Sequence, residues 1–84
     1  MNEDKAIGIF YADEIRGDAE VANFFIEWLL DINSYKSTSS DTYFLEKQDE
    51  KIIIGNLWDE TFEETLVSKE KLVNFLHEKN ASLK

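Results

Sequence analysis

The chain has 84 residues, of which 18 are acidic and 9 basic, a net charge of −9, and no cysteine. That length suits one domain around one core and excludes two. The missing cysteine excludes disulfides, thiol chemistry and thiolate metal centres, and the acidic balance argues against direct binding of nucleic acid, which relies on Lys and Arg to neutralise phosphates.

A hydrophobic share of 43% with eleven aromatic residues supplies the large apolar side chains that offset ordering entropy, so residues 1–84 are expected to form a single globular domain. The opening MNEDKAIGIFYA is acidic with a short apolar run, the pattern of neither a signal peptide nor a membrane span. A cytoplasmic location and no membrane contact are the expectation, with flexible ends at about 1–4 and 81–84.

Residues 5–12, KAIGIFYA, carry Ile7, Ile9 and Tyr11 on one alternating face and Ala6, Gly8 and Phe10 on the other. That pattern predicts a central strand covered on both sides. A turn at 13–17 follows, and Asp18 is placed to cap a helix with Glu20 in its first turn. On a helical wheel Val21, Ala22, Phe25, Ile26, Trp28, Leu29, Leu30 and Ile32 fill a wide apolar arc, which predicts a helix to about Ile32. On its polar face Glu20, Glu27 and Asp31 fall within roughly 40° of arc, one exposed acidic stripe with Phe24 beside it.

Residues 33–42, rich in Ser and Thr, read as a loop. TYFLEKQ and KIIIGNL then form two strands, rich in β-branched and aromatic residues, with a short polar turn around Asp49 and Glu50 between them. The last third has two parses. In one, TFEETLV is a fourth strand and Ser68 caps a helix from Lys69 to about Lys79 that buries Leu72, Val73, Phe75 and Leu76; in the other, one long helix begins near Asp59. The strand is preferred because Thr61, Phe62, Thr65 and Val67 favour extended backbone. The expected fold is α+β in the order β-α-β-β-β-α, a mostly antiparallel four-stranded sheet with two helices on one face.

Charge is the most informative functional signal. Residues 13–31 hold six carboxylates against Arg16, and residues 56–65 hold four with no cation, so these two segments carry the whole excess while the remainder balances. In NLWDETFEET, Trp58 and Phe62 stand among Asp59, Glu60, Glu63 and Glu64, a mix of rings and acids suited to the stems and heads of Lys and Arg. On a strand, Glu64 would instead point inward and guard an edge against pairing. The candidate partner-binding residues are Trp58, Asp59, Glu60, Phe62, Glu63 and Glu64, extended by Glu20, Glu27 and Asp31.

No catalytic, cofactor or metal site is expected. Close pairs of Asp and Glu follow from composition, the calcium-loop pattern is absent, and His77 stands alone near the end of a helix. Arg16-Gly17-Asp18 is a turn followed by a cap rather than an adhesion tripeptide, and Asn80-Ala81-Ser82 is a chance match to a glycosylation acceptor. The expectation is therefore a non-enzymatic acidic protein that binds a basic protein, foremost an immunity protein covering the cationic cleft of a nuclease toxin. A nucleic-acid mimic that blocks a DNA-handling enzyme, and a non-catalytic structural or regulatory subunit, are the alternatives.

Overall fold

The computed structural model describes residues 1–82. Three helices and a four-stranded antiparallel sheet form an α+β domain: α1 at Glu3–Phe10, continued by a π-helical turn at Tyr11–Ile15; α2 at Ala19–Leu30; β1 at Ser37–Ser39; β2 at Tyr43–Gln48; β3 at Lys51–Asn56; β4 at Thr65–Ser68; and α3 at Lys69–Ser82. The strands lie in the order β1-β2-β3-β4, each antiparallel to its neighbour.

The order of elements departs from β-α-β-β-β-α at the start of the chain. The segment expected as a central strand is α1. Its apolar residues satisfy two periods at once, and the helical one prevails because Ala6, Ile7 and Phe10 reach the core together at i, i+1 and i+4. Asn2 accepts a hydrogen bond from the Lys5 N–H at 2.8 Å, and Glu3 and Asp4 sit in the first turn where the helix dipole favours them. Residues 1–4, expected to be flexible, are thereby engaged: the Glu3 carboxylate also accepts the Ser68 N–H at 2.6 Å, and Lys71 pairs with Asp4 at 2.6 Å. Of 81–84, residues 83 and 84 lie outside the described residues.

The helix then widens. The Arg16 N–H reaches back five residues to the Tyr11 carbonyl at 2.9 Å, and the enlarged turn inserts Ile15 into the core before Arg16 and Gly17 reverse the chain through positive φ, 53° and 75°. Asp18 caps α2 as its position implies, Oδ1 accepting from Glu20 N–H at 2.9 Å and Val21 N–H at 3.4 Å. The helix ends at Leu30, and Ile32, expected on its apolar face, is exposed in the following turn.

The Ser/Thr-rich segment 33–42 is not wholly loop, since Ser37–Ser39 pairs with β2 as an edge strand. Register places Tyr43, Leu45, Ile52, Ile54, Thr65 and Val67 on one buried face of the sheet, which joins the buried sides of all three helices in one core. Phe44, Ile53 and Leu66 alternate to the other face, where Phe44 lies over Gly55. β4 is shorter than the expected strand, and the long-helix parse fails altogether. Asn56 Oδ1 accepts the N–H groups of Trp58 and Asp59 at 2.8 and 2.7 Å, and Asp59 Oδ1 accepts those of Thr61 at 2.9 Å from nitrogen and 2.6 Å from the hydroxyl. These side-chain bonds close residues 56–62 into consecutive turns in place of strand or helix. Ser68 does cap α3, its hydroxyl 3.3 Å from the Lys71 N–H. Among the described residues no helix is long and apolar enough to cross a membrane.

Candidate functional site: an acidic end of the sheet

Tyr43 opens β2 and pairs with Asn56, the last residue of β3, so the beginning of one strand and the end of the next share one end of the sheet. The Tyr43 ring is buried edge-on between Phe10 and Phe62, with centroids 5.4 and 5.5 Å away. Its hydroxyl emerges from the core to donate to Asp13 Oδ2 at 2.9 Å. Burial, and then the bond to Asp13, push the hydroxyl pKa up to about 12, with Asn56 acting in the opposite sense. Because the π-helical turn carries Asp13 and Asn56 sets the turns that follow β3, this one hydroxyl links the two segments that hold the net charge.

Around that link the acids gather. The β1–β2 turn is closed by Ser40, whose Oγ accepts the N–H groups of Thr42 and Tyr43 at 3.2 and 3.0 Å. Its Asp41 carbonyl accepts the indole N–H of Trp58. Beside the same turn, Glu14, Asp18, Glu20, Ser39 and Ser40 rim a groove of about 290 Å³ whose floor is Val21, Phe24 and Phe25. One end of the molecule thus brings together Asp13 at the Tyr43 hydroxyl, Glu14, Asp18 and Glu20 at the groove, Asp41 at Trp58, and Asp59 in the turns set by Asn56. The cation within this set is Arg16, whose Nε donates to the Asp13 carbonyl at 2.8 Å. The Asp59 carboxyl is held below the usual carboxylate range by the hydroxyl and then the N–H of Thr61.

Not every expected site residue lies here. Trp58 is 78% exposed and stands at this end, whereas Phe62 is 7% exposed and packs on Tyr43, so Phe62 is a core residue and not a contact residue. Asp59 and Glu60 are exposed. Glu63 is exposed and meets the N-terminal ammonium at 3.6 Å. Glu64 is exposed as well, with its Cγ beside Gly55; it precedes β4 and does not point into the sheet as an edge guard would.

The helix stripe is divided. Glu20 joins the acidic end, Glu27 is exposed farther along α2, and Asp31 has left the helix as its C-terminal cap. The Asp31 carbonyl accepts Lys47 Nζ at 3.0 Å, near the far end of β2. Lys47 also lies 4.7 Å over the Trp28 ring, and burial, followed by the nearness of Lys69, lowers its pKa below that of an ordinary lysine. The Asp31 carboxylate itself accepts the Asn33 N–H at 2.9 Å in the turn after α2, at the opposite end of the helix from Glu20.

Asp41, Tyr43, Asn56 and the groove floor belong to the site without having been singled out by sequence. The one local signal was Asn56, a residue type that closes turns, directly after an apolar strand. Chemically, the arrangement offers ionised carboxylates, a half-exposed phenyl ring and an exposed indole. Among the described residues, no three His, Cys, Asp or Glu side chains are grouped so as to hold a metal ion. Comparison with protein-family models, with curated proteins and with solved structures finds no match for this chain.

Proposed function

We propose that this protein is a small, non-enzymatic inhibitor acting in the cytoplasm, an immunity-type protein that binds a nuclease toxin and covers its cationic active-site cleft. The observation that carries the reading is the convergence of both charged segments at one end, across the Tyr43 hydroxyl. A domain that cleaves RNA or DNA must carry a cationic surface for phosphates. A compact acidic end competes for that surface and speeds the encounter by electrostatic steering. Trp58 supplies the large apolar contact that such interfaces place near their centre.

The compact geometry favours this reading over nucleic-acid mimicry. A mimic needs carboxylates in a long file at phosphate spacing, while here the file along α2 is broken at Asp31, which leaves the helix as its C-terminal cap and bonds the Asn33 N–H.

The test asks first whether a reading frame beside this chain's own gene encodes a basic nuclease, and then assays that nuclease with and without an equimolar amount of the protein. Inhibition is expected, with an association rate that falls steeply as salt rises and falls at least about tenfold in the double variant Glu60→Lys, Asp59→Lys. A nuclease that stays fully active, or one inhibited equally fast by the charge-reversed variant, refutes the proposal.

A further inference from the structure

We infer that the groove between the first turns of α2 and the β1–β2 turn receives a single arginine side chain of the basic partner; the inference rests on the reading of the protein as a binder of a basic protein. The groove is a built feature of the fold and not only a collection of acids. Its floor is apolar, and Phe24 is 54% exposed there, far more than a core ring. The ring lies edge-on to the buried Phe25, centroids 5.2 Å apart and planes at 82°, a contact that favours one orientation of the ring.

Charge complementarity selects the occupant. Glu14, Asp18 and Glu20 stand on the rim, and among the described residues neither Glu14 nor Glu20 accepts a hydrogen bond or meets a cation through its side chain. Asp18 uses Oδ1 to cap α2, which offsets the positive end of the helix that would otherwise disfavour a cation here. A neutral apolar ligand would leave these carboxylates partly desolvated with nothing in return. A lysine would satisfy the charge, yet its ammonium is strongly hydrated and cannot lie flat on a ring. The guanidinium does both, stacking on the phenyl face while its fork reaches carboxylates on two sides.

The second groove of the molecule makes the contrast. It has about the same volume and is lined by Leu30, Glu50, Lys69, Glu70, Val73 and Asn74, so a cation stands among its acids. The groove at the acidic end has no such built-in cation among its lining residues.

The experiment is an NMR titration of the intact chain with three blocked tripeptides, Gly-Arg-Gly, Gly-Lys-Gly and the uncharged citrulline analogue of the first. The arginine peptide is expected to shift Val21, Phe24, Phe25, Ser39 and Ser40 saturably, binding about two- to fivefold more tightly than the lysine peptide, while the citrulline peptide leaves these signals unmoved. Phe24→Ala, which removes a half-exposed ring, and Glu20→Gln should each weaken the arginine peptide by a similar factor with the fold retained. Equal affinity for arginine and lysine peptides overturns the inference, as do shifts spread evenly over Trp58 to Glu60. Unchanged binding by both variants overturns it too. Its failure is separable from that of the wider reading: an inhibited nuclease whose dissociation is unaffected by Phe24→Ala defeats the groove alone, and an arginine peptide seated in the groove with no nuclease inhibited defeats the wider reading alone.

Discussion

Replacing Tyr43 with Phe removes one hydroxyl and leaves the ring contacts with Phe10 and Phe62 in place. What is lost is the 2.9 Å bond to Asp13, a hydrogen bond to an ionised acceptor, worth about 1.5–3 kcal/mol where both partners are buried. Asp13 is exposed, so water replaces the missing donor on its side, and the expected cost is about 1–2 kcal/mol. For a domain of this size that corresponds to a fall in Tm of about 5–12 °C.

The pH dependence isolates the cause. The Tyr43 pKa is raised from 10.0 to about 12 in the folded state, so its contribution is complete below pH 10 and is lost as pH rises toward 12. Tyr43→Phe has no such group to titrate, and every other titration is common to both proteins. Urea unfolding followed by circular dichroism should therefore show a constant gap between the two proteins from neutral pH to about pH 9, narrowing at about pH 11. Equal stability at neutral pH to within about 0.3 kcal/mol, or a gap that is the same at neutral pH and at about pH 11, would refute the assignment of Tyr43 as the link between the acidic segments.

Three further outcomes are expected. Gly55→Ala places a methyl group in the ring of Phe44 and close to Glu64 Cγ; the ring must swing off the sheet, at a cost of about 1–2 kcal/mol in urea unfolding despite the better strand propensity of Ala, and an unchanged midpoint would contradict the close packing. Asn2→Ala removes the cap of α1 and should destabilise by about 1 kcal/mol, where no effect would mean that the first turn is not closed by Asn2. In a carboxyl-detected NMR titration the Asp59 midpoint should lie below 3.8 and return toward it in Thr61→Val, since the hydroxyl is the larger cause. The depressed pKa means that the turn gains stability from Asp59 above the ordinary carboxylate range and loses it as pH falls through the lowered value.

Local features of the fold were legible in the sequence wherever a short pattern has one physical solution. Asp18 followed by an apolar arc, the Tyr43–Gln48 and Lys51–Asn56 hairpin, and Ser68 before α3 are of this kind, because cap, period and turn chemistry agree within a few residues. α1 was misread because Ala6, Ile7, Ile9, Phe10 and Tyr11 fit both a strand and a helix, and the deciding cap lies outside the apolar run, at Asn2. β1 carries no apolar signature, since an edge strand of Ser-Thr-Ser is held by its backbone pairing with β2. The acidic excess and its two segments were visible as composition. Their convergence depends on the Tyr43–Asn56 register and on one extra residue in the turn after α1, neither of which leaves a local trace. The fates of Trp58 and Phe62 diverge for the same reason: alternation along a strand does not apply to a segment folded into turns.

The Glu3 carboxylate that receives the Ser68 N–H joins positions 65 apart in the chain, and α1 packs against β4. In synthesis α1 precedes β4, so Ala6, Ile7 and Phe10 stay uncovered until the strand that shields them has been made. The hairpin of β2 and β3 can pair within that interval, whereas the clasp between α1 and β4 cannot. A segment made before the whole of the sheet is thus among the last to be sealed, and the charged Glu3, Asp4 and Lys5 at its start keep it hydrated until then.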